Sequence, residues 1–259
     1  MFIKWVKHMF NSWIPEFAAL ISSTAPDKPG DHVPTTKPNI SKFQYEYPYE
    51  SEDGRFLPVS WTGFSAPNQH ALTDDDIREL AEKYEVPFAH LKAVVDIETA
   101  GSGFLLSEPA PARPKILFEG HKFYKNSGSV PVSKTRPDLS HRRWTTKHYR
   151  GGSGEWDRMR DAMEFHEEGA LMSASYGMGQ VLGENYALAG CDSVQQFVVE
   201  TFMGERQQFQ HMFNFIVNTK LIDALRKGKW SKFARGYNGP AYRKHGYHIR
   251  LADAARIYK

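Results

Sequence analysis

The chain has 259 residues, 41% of them hydrophobic and 24% charged, which is enough to build a substantial core with a solvated surface. Its net charge of +3 is mildly basic; that suits a polyanionic surface such as a cell wall and makes no case for nucleic acid. Cys191 is the single cysteine, which excludes an intrachain disulfide and any multi-cysteine zinc site.

Residues 1–22 carry Phe2, Trp5, Val6, Met9, Phe10, Trp13, Ile14, Phe17, Leu20 and Ile21 at helical spacing, with Lys4, Lys7, His8, Asn11 and Ser12 on the other face. This predicts an amphipathic helix with a basic edge, lying either on a membrane surface or on the protein's own core. Polar residues interrupt it too often for a membrane span, which needs about 18 unbroken apolar residues, and no clear cleavable signal is present. Residues 23–70 hold Pro26, Pro29, Pro34, Pro38, Pro48, Pro58 and Pro67 and read as a linker or extended arm. Within that arm the alternation of Phe43, Tyr45, Tyr47 and Tyr49 permits a short strand or a docked segment.

The main domain is expected over residues 71–259. Thr73 is a good N-cap, and Asp74, Asp75 and Asp76 complement the positive end of a helix whose apolar face is Ile77, Leu80, Ala81 and Tyr84. A second helix starts after Pro87 and turns Leu91, Val94, Val95 and Ile97 inward. The run Gly101-Ser102-Gly103 ends it, leaving Glu98 in its last turn. Residues 106–154 are rich in proline and basic residues and show no helical pattern, with one small β element around 116–118. Further helices are expected at roughly 156–168, 193–216, 219–227 and 247–258. The fold class is mainly α (α+β): a helical domain with a small β element.

Several chemistries lack their motifs. No Walker loop and no GxGxxG opening a helix occur, and His166-Glu167-Glu168 has no second histidine one turn later. No metal and no other cofactor is therefore expected. Cys191, in Ala-Gly-Cys-Asp, has no adjacent base in sequence and reads as structural.

Glu98 is the first candidate for catalysis. A carboxylate at the end of an apolar helix meets the negative end of the dipole and loses solvent, and both effects raise its pKa. A carboxyl kept neutral near pH 7 can serve as a general acid. Position alone also allows a Glu98 that simply points into water. Ser175-Tyr176-Gly177-Met178-Gly179-Gln180 predicts a tight turn that can present backbone donors, Ser175 and Gln180 to a sugar, and Tyr176 is taken with them as a substrate-binding candidate. Tyr237, Asn238 and Tyr242, within a segment rich in glycine, supply aromatic faces and an amide of the kind that stacks on and bonds to pyranose rings. Each segment taken singly also fits a loop with packing aromatics.

In this order the pieces resemble a family. Glu98 ending a helix, then Ser-x-Gly-x-x-Gln, then Tyr-Asn-Gly is similar to goose-type lysozymes and soluble lytic transglycosylases. A closer likeness is to the N-acetylmuramidase domain of bacteriophage endolysins. It is carried by Ile97-Glu98-Thr99-Ala100-Gly101-Ser102-Gly103-Phe104, by Pro114 through Tyr124, by Ser175 through Gln180 and by Tyr237-Asn238-Gly239-Pro240. The resemblance covers residues 72–259. It implies a lysozyme-like fold, bacterial peptidoglycan as substrate, cleavage between N-acetylmuramic acid and N-acetylglucosamine, Glu98 as the acid, and lysis of the host cell. Residues 1–70 depart from the helical wall-binding domain that many such enzymes carry.

Glycosidases commonly use two carboxyls, about 5 Å apart for retention and up to about 9.5 Å for inversion. The best second candidate is Glu119, expected to stay ionised beside His121 and Lys122, and read either as an electrostatic stabiliser or as half of a structural salt bridge. Glu108 and Asp96 are weaker, since Asp96 lies two residues before Glu98 and faces elsewhere on the helix. Two alternatives stand beside hydrolysis: a lytic transglycosylase using Glu98 alone, and a non-catalytic wall-binding or membrane-active protein. The expected protein is a monomer made in the bacterial host cytoplasm and acting on the wall, with residues 1–22 able to touch a membrane surface.

Overall fold

The computed structural model describes residues 49–50, 56–57, 71–99, 101–107, 112–128 and 131–259. The amphipathic helix expected at residues 1–22, most of the 23–70 arm and Glu108 lie outside the described residues. Within the arm, β1 (Tyr49–Glu50) pairs antiparallel with β2 (Phe56–Leu57).

Helix α1 (Asp74–Lys83) begins as its sequence requires. The Thr73 hydroxyl accepts from the Asp76 amide, and the Asp76 carboxylate accepts in return from the Thr73 amide, closing a capping box. Helix α2 (Phe88–Glu98) follows Pro87 and buries Leu91, Ala93, Val94 and Val95. It ends where Thr99 turns extended, followed by Gly101 at φ +78°, a left-handed conformation that favours glycine.

Residues 106–154 are less irregular than their composition predicts. Besides β3 (Ile116–Phe118), they contain α3 (Gly120–Asn126) and α4 (Pro131–Thr135). Short helices have little intrinsic stability and depend on packing. For α3 that packing comes from Phe123, fully buried beside Phe118 at 5.7 Å between ring centroids, which no local pattern reveals.

Two predicted helices are each two. The first divides into α5 (Ser153–Met163) and α6 (Glu167–Met172), because the His166 side chain accepts from the Gly169 amide and starts a new N-terminus. The second divides at Gly204, φ +147°, into α7 (Val194–Thr201) and α8 (Glu205–Asn218). After them come the short α9 (Ile222–Arg226), α10 (Trp230–Asn238), a 3-10 turn at Pro240–Arg243 and α11 (Tyr247–Ile257). The segment expected to be helical over 219–227 is helical only in α9.

The single three-stranded sheet among the described residues is antiparallel, in the order β3, β4 (Ala174–Tyr176), β5 (Val181–Leu182). Its register sets Ile116 opposite Tyr176 and Ser175 opposite Leu182. One continuous core joins the sheet to the helices, and α11 lies along α2, where Ala93 meets Ala254 and Ala255. Small side chains at that crossing let the two helix backbones approach closely. No helix among the described residues is long and apolar enough to cross a membrane. The observed class is therefore the expected one: mostly helical, with a small antiparallel sheet.

Candidate active site

The last residues of two helices meet at Glu98. Glu98 closes α2, Asn238 closes α10, and the Asn238 Nδ2 donates to Glu98 Oε2 at 2.9 Å. Both side chains are buried, Glu98 at 6% exposure, so the carboxyl does not point into water. Burial pushes its pKa up to about 7, against the opposing effects of the Asn238 hydrogen bond and the positive charge of Arg250. The negative ends of two helix dipoles at the same carboxyl act in the same direction as burial.

Because the amide donates to Oε2, the proton of the neutral acid sits on Oε1, which has no hydrogen-bond partner among the described residues. Tyr237 and Tyr247 stand close enough to feel the Glu98 charge; burial first, and then Glu98, hold both phenols protonated. Tyr237 stacks on Phe233 at 5.5 Å and 9°, the spacing of one helical turn. Tyr242 packs on His248, and its hydroxyl accepts from Arg243 Nε at 3.0 Å. Asp96 faces away, bonded to the Tyr258 hydroxyl and paired with Lys92.

The segment after Glu98 is held in place by two side chains that sequence reasoning missed. Glu205 Oε1 accepts from the Gly103 amide at 2.7 Å, and its Oε2 accepts from the Leu72 amide at 2.9 Å. Gln208 Oε1 accepts from the Met178 amide at 2.8 Å, while its Nε2 donates to the Thr201 carbonyl. One turn of α8 therefore clamps both the loop after the acid and the turn of the β4–β5 hairpin. The sequence signal is faint: a Glu and a Gln three apart in a helix that also carries Phe209, Met212, Phe213 and Ile216.

Gly103 shows how tight this junction is. A Cβ there would lie 1.8 Å from Gln208 Oε1 and 2.9 Å from the Met178 amide nitrogen. Gly103→Ala is therefore expected to expel the Gln208 amide and destabilise the fold by about 1–3 kcal/mol. Urea unfolding measures this; a midpoint equal to wild type would show that the clamp yields freely.

Ser175, Tyr176 and Gln180 serve the hairpin. The Ser175 hydroxyl donates to Gln180 Oε1 at 3.1 Å, and Gln180 Nε2 donates to the Gly177 and Lys115 carbonyls. These bonds hold Gln180 at φ +47°, an unusual conformation for a side-chain-bearing residue. Tyr176 is a correction to the expected sugar contact: it is 2% exposed, and its hydroxyl donates to the Leu171 carbonyl inside the core. Its ring packs edge-on against Trp156 and Phe197, in a strand whose three residues are all buried.

Glu119 also departs from expectation. It is 2% exposed, and burial pushes its pKa up to about 8, so it is neutral rather than ionised at pH 7. The Lys122 charge is the main influence opposing burial, and burial outweighs it. Lys122 turns to Glu184 at 2.7 Å, and burial pushes His121 down to about 3, leaving the imidazole uncharged 3.6 Å from Glu119. The Tyr149 hydroxyl is 3.5 Å from Glu119 Oε2. The structure thus brings Tyr237, Asn238 and Arg250 to Glu98, and sets Glu119 among Tyr149, His121 and Lys122.

The family model for N-acetylmuramidase matches residues 87–259, a span that contains Glu98, Glu119, the hairpin turn and Asn238. The chain belongs to the N-acetylmuramidase family. This muramidase is also similar to a solved Burkholderia AP3 phage endolysin, with 31% identity over 76% of this chain and 75% of that one, at a TM-score of 0.67. No curated protein matches the sequence significantly. Family and fold agree with the lysozyme-like α+β architecture, and they make the muramidase a glycoside hydrolase acting on peptidoglycan.

Proposed function

We propose that the protein is an endolysin that hydrolyses the β-1,4 bond between N-acetylmuramic acid and N-acetylglucosamine, lysing its host from within. The observation that carries this reading is Glu98: a buried carboxyl at the meeting of two helix ends, with a pKa near 7 and one oxygen without a hydrogen-bond partner among the described residues. In the reaction Glu98 Oε1 gives its proton to the glycosidic oxygen as the bond to the sugar breaks. Asn238 fixes the carboxyl's orientation and, through its bond to Oε2, stabilises the carboxylate that remains. That carboxylate then takes a proton from the attacking water. The catalytic unit is the 71–259 region, and the likeness to a phage endolysin supports its action on the wall.

One observation admits a second reading. Glu119 is neutral at pH 7 and so supplies no carboxylate to steady an oxocarbenium ion or position a water, which leaves Glu98 to serve first as acid and then as base. A lytic transglycosylase works with the same single carboxyl, the muramyl 6-hydroxyl taking the place of water.

Mass spectrometry of fragments released from purified peptidoglycan separates the readings. Reducing muramic acid ends are expected, and 1,6-anhydro ends would move the protein to the transglycosylases. Release of neither by the folded wild type would leave a non-catalytic wall-binding protein.

A further inference from the structure

Away from Glu98, three side chains with metal-binding atoms converge in the interior: Cys191 before α7, Glu200 within α7 and His211 within α8. All three are buried, and their ligand atoms lie within 4.8 Å of one another. Cys191 Sγ is 3.6 Å from His211 Nε2 and 3.8 Å from Glu200 Oε2, and the last two atoms are 2.9 Å apart. Ordinary zinc–sulfur, zinc–nitrogen and zinc–oxygen bonds arranged as a tetrahedron have ligand–ligand edges of about 3.3–3.6 Å. Each observed edge is within a few tenths of an ångström of that range.

A fourth group completes the figure. Gln207, half-buried above the cluster, brings its amide to 2.6 Å from Glu200 Oε2 and 3.3 Å from His211 Nε2. As a purely hydrogen-bonded network the arrangement is crowded. The Gln207 amide and the Cys191 thiol both donate to Glu200 Oε2, His211 Nε2 lies 2.9 Å from the same oxygen, and the Gln207 and His211 nitrogens lie side by side at 3.3 Å. A cation among these atoms relieves that conflict, with the Gln207 amide turned so that its oxygen becomes the fourth ligand. The other Glu200 oxygen is already oriented by Gln196 Nε2 at 2.8 Å, and Gln196 is itself fixed by the Asp192 amide at 2.9 Å. Such outer bonds hold a carboxylate ligand in position.

We propose that Cys191, Glu200 and His211, with Gln207 as the outermost ligand, form a structural zinc(II) site that ties the Cys191 loop to α7 and α8. Charge supports this choice of ion. A thiolate and a carboxylate neutralise a divalent cation, so the filled site carries no net charge into the low-dielectric interior. A sulfur, a nitrogen and an oxygen ligand in tetrahedral array suit zinc and not magnesium or calcium. On binding, the Cys191 proton is released to solvent and its sulfur bonds to the metal. The site lies at the Gly204 corner, beside the α8 residues Glu205 and Gln208 that clamp the loop following Glu98. The ligand spacings, 9 and 11 residues, match no familiar zinc motif, so the sequence alone conceals the site.

The test uses the full chain, stripped with a chelator, dialysed and titrated first with cobalt(II) and then with zinc(II). One cobalt per chain is expected, with a thiolate-to-cobalt charge-transfer band that zinc abolishes by displacement. In Cys191→Ser the band is absent and zinc affinity falls about 100-fold by isothermal titration. Cobalt bound without a thiolate band, or no stoichiometric metal bound by folded wild type, overturns the proposal. The wild-type spectrum decides the matter even if the variant folds poorly, and it does so whether or not the protein cleaves peptidoglycan.

Discussion

Glu98→Gln is expected to slow turnover of purified peptidoglycan by about 10²- to 10⁴-fold, the usual contribution of a positioned general acid. It is also expected to make the protein relatively more stable as pH rises. The second effect follows from the same burial. The carboxyl has a pKa of about 7 in the folded protein against an ordinary 4.5, so between these values the folded state holds a proton that the unfolded chain has released. Wild-type stability from this group is complete below about 4.5 and declines as pH rises to about 7, with no further loss above. Glutamine does not titrate, and its amide oxygen still accepts from Asn238. The gap in unfolding free energy between variant and wild type should therefore widen by about 3 kcal/mol between pH 4.5 and pH 8. Denaturant titrations of both proteins at a series of pH values measure it. A gap independent of pH would mean that Glu98 is solvated and ionised like an ordinary surface carboxyl. Wild-type turnover should fall through the same region near pH 7, as the acid loses its proton.

Arg158→Met should cost the fold about 3–5 kcal/mol, the penalty of breaking a buried ion pair from one side. Arg158 is fully buried in α5 and donates to Glu155 at 2.7 Å and to the carbonyls of Phe118 and Asp138 at 2.9 and 2.8 Å. Its guanidinium also lies over the Phe118 ring at 5.1 Å. Truncation leaves the Glu155 carboxylate, 1% exposed, without its cation and deprives two carbonyls of donors. The Phe118 carbonyl is at the end of β3, so the same change loosens the strand that carries Glu119 into its buried position. Glu155 keeps two backbone donors, Arg150 and Gly151, and so Glu155→Gln in the Arg158→Met background should recover part of the loss. Urea midpoints of the single and double variants test this. A loss under 1 kcal/mol for Arg158→Met would show that the pair is replaceable by apolar packing.

The sequence by itself determined the fold class and pointed to Glu98 as the candidate acid. Thr73 with its aspartates, Pro87 and Gly101 are local signals, and they set where α1 starts and where α2 starts and stops because capping and backbone freedom are properties of a few adjacent residues. Periodicity over 88–98 placed Glu98 at a buried helix end, and the Tyr-Asn-Gly segment marked the side chain that meets it. The β element at 116–118 was equally legible.

Tertiary structure decided what depends on residues far apart in the chain. Asn238 reaches Glu98 across 140 positions, and Glu205 reaches Gly103 across 102, so neither the orientation of the acid nor the clamp behind it leaves a local pattern. Glu119 looked ionised because His121 and Lys122 adjoin it in sequence. In the fold Lys122 turns to Glu184, and desolvation outweighs what attraction remains. Tyr176 belongs to a segment that reads as substrate-binding, yet its ring lies in the core, and Cys191 lacks a base only along the chain, since His211 and Glu200 come to it through packing. Local chemistry sets where elements begin and end, whereas solvation and partner choice are fixed only when distant segments close over a side chain.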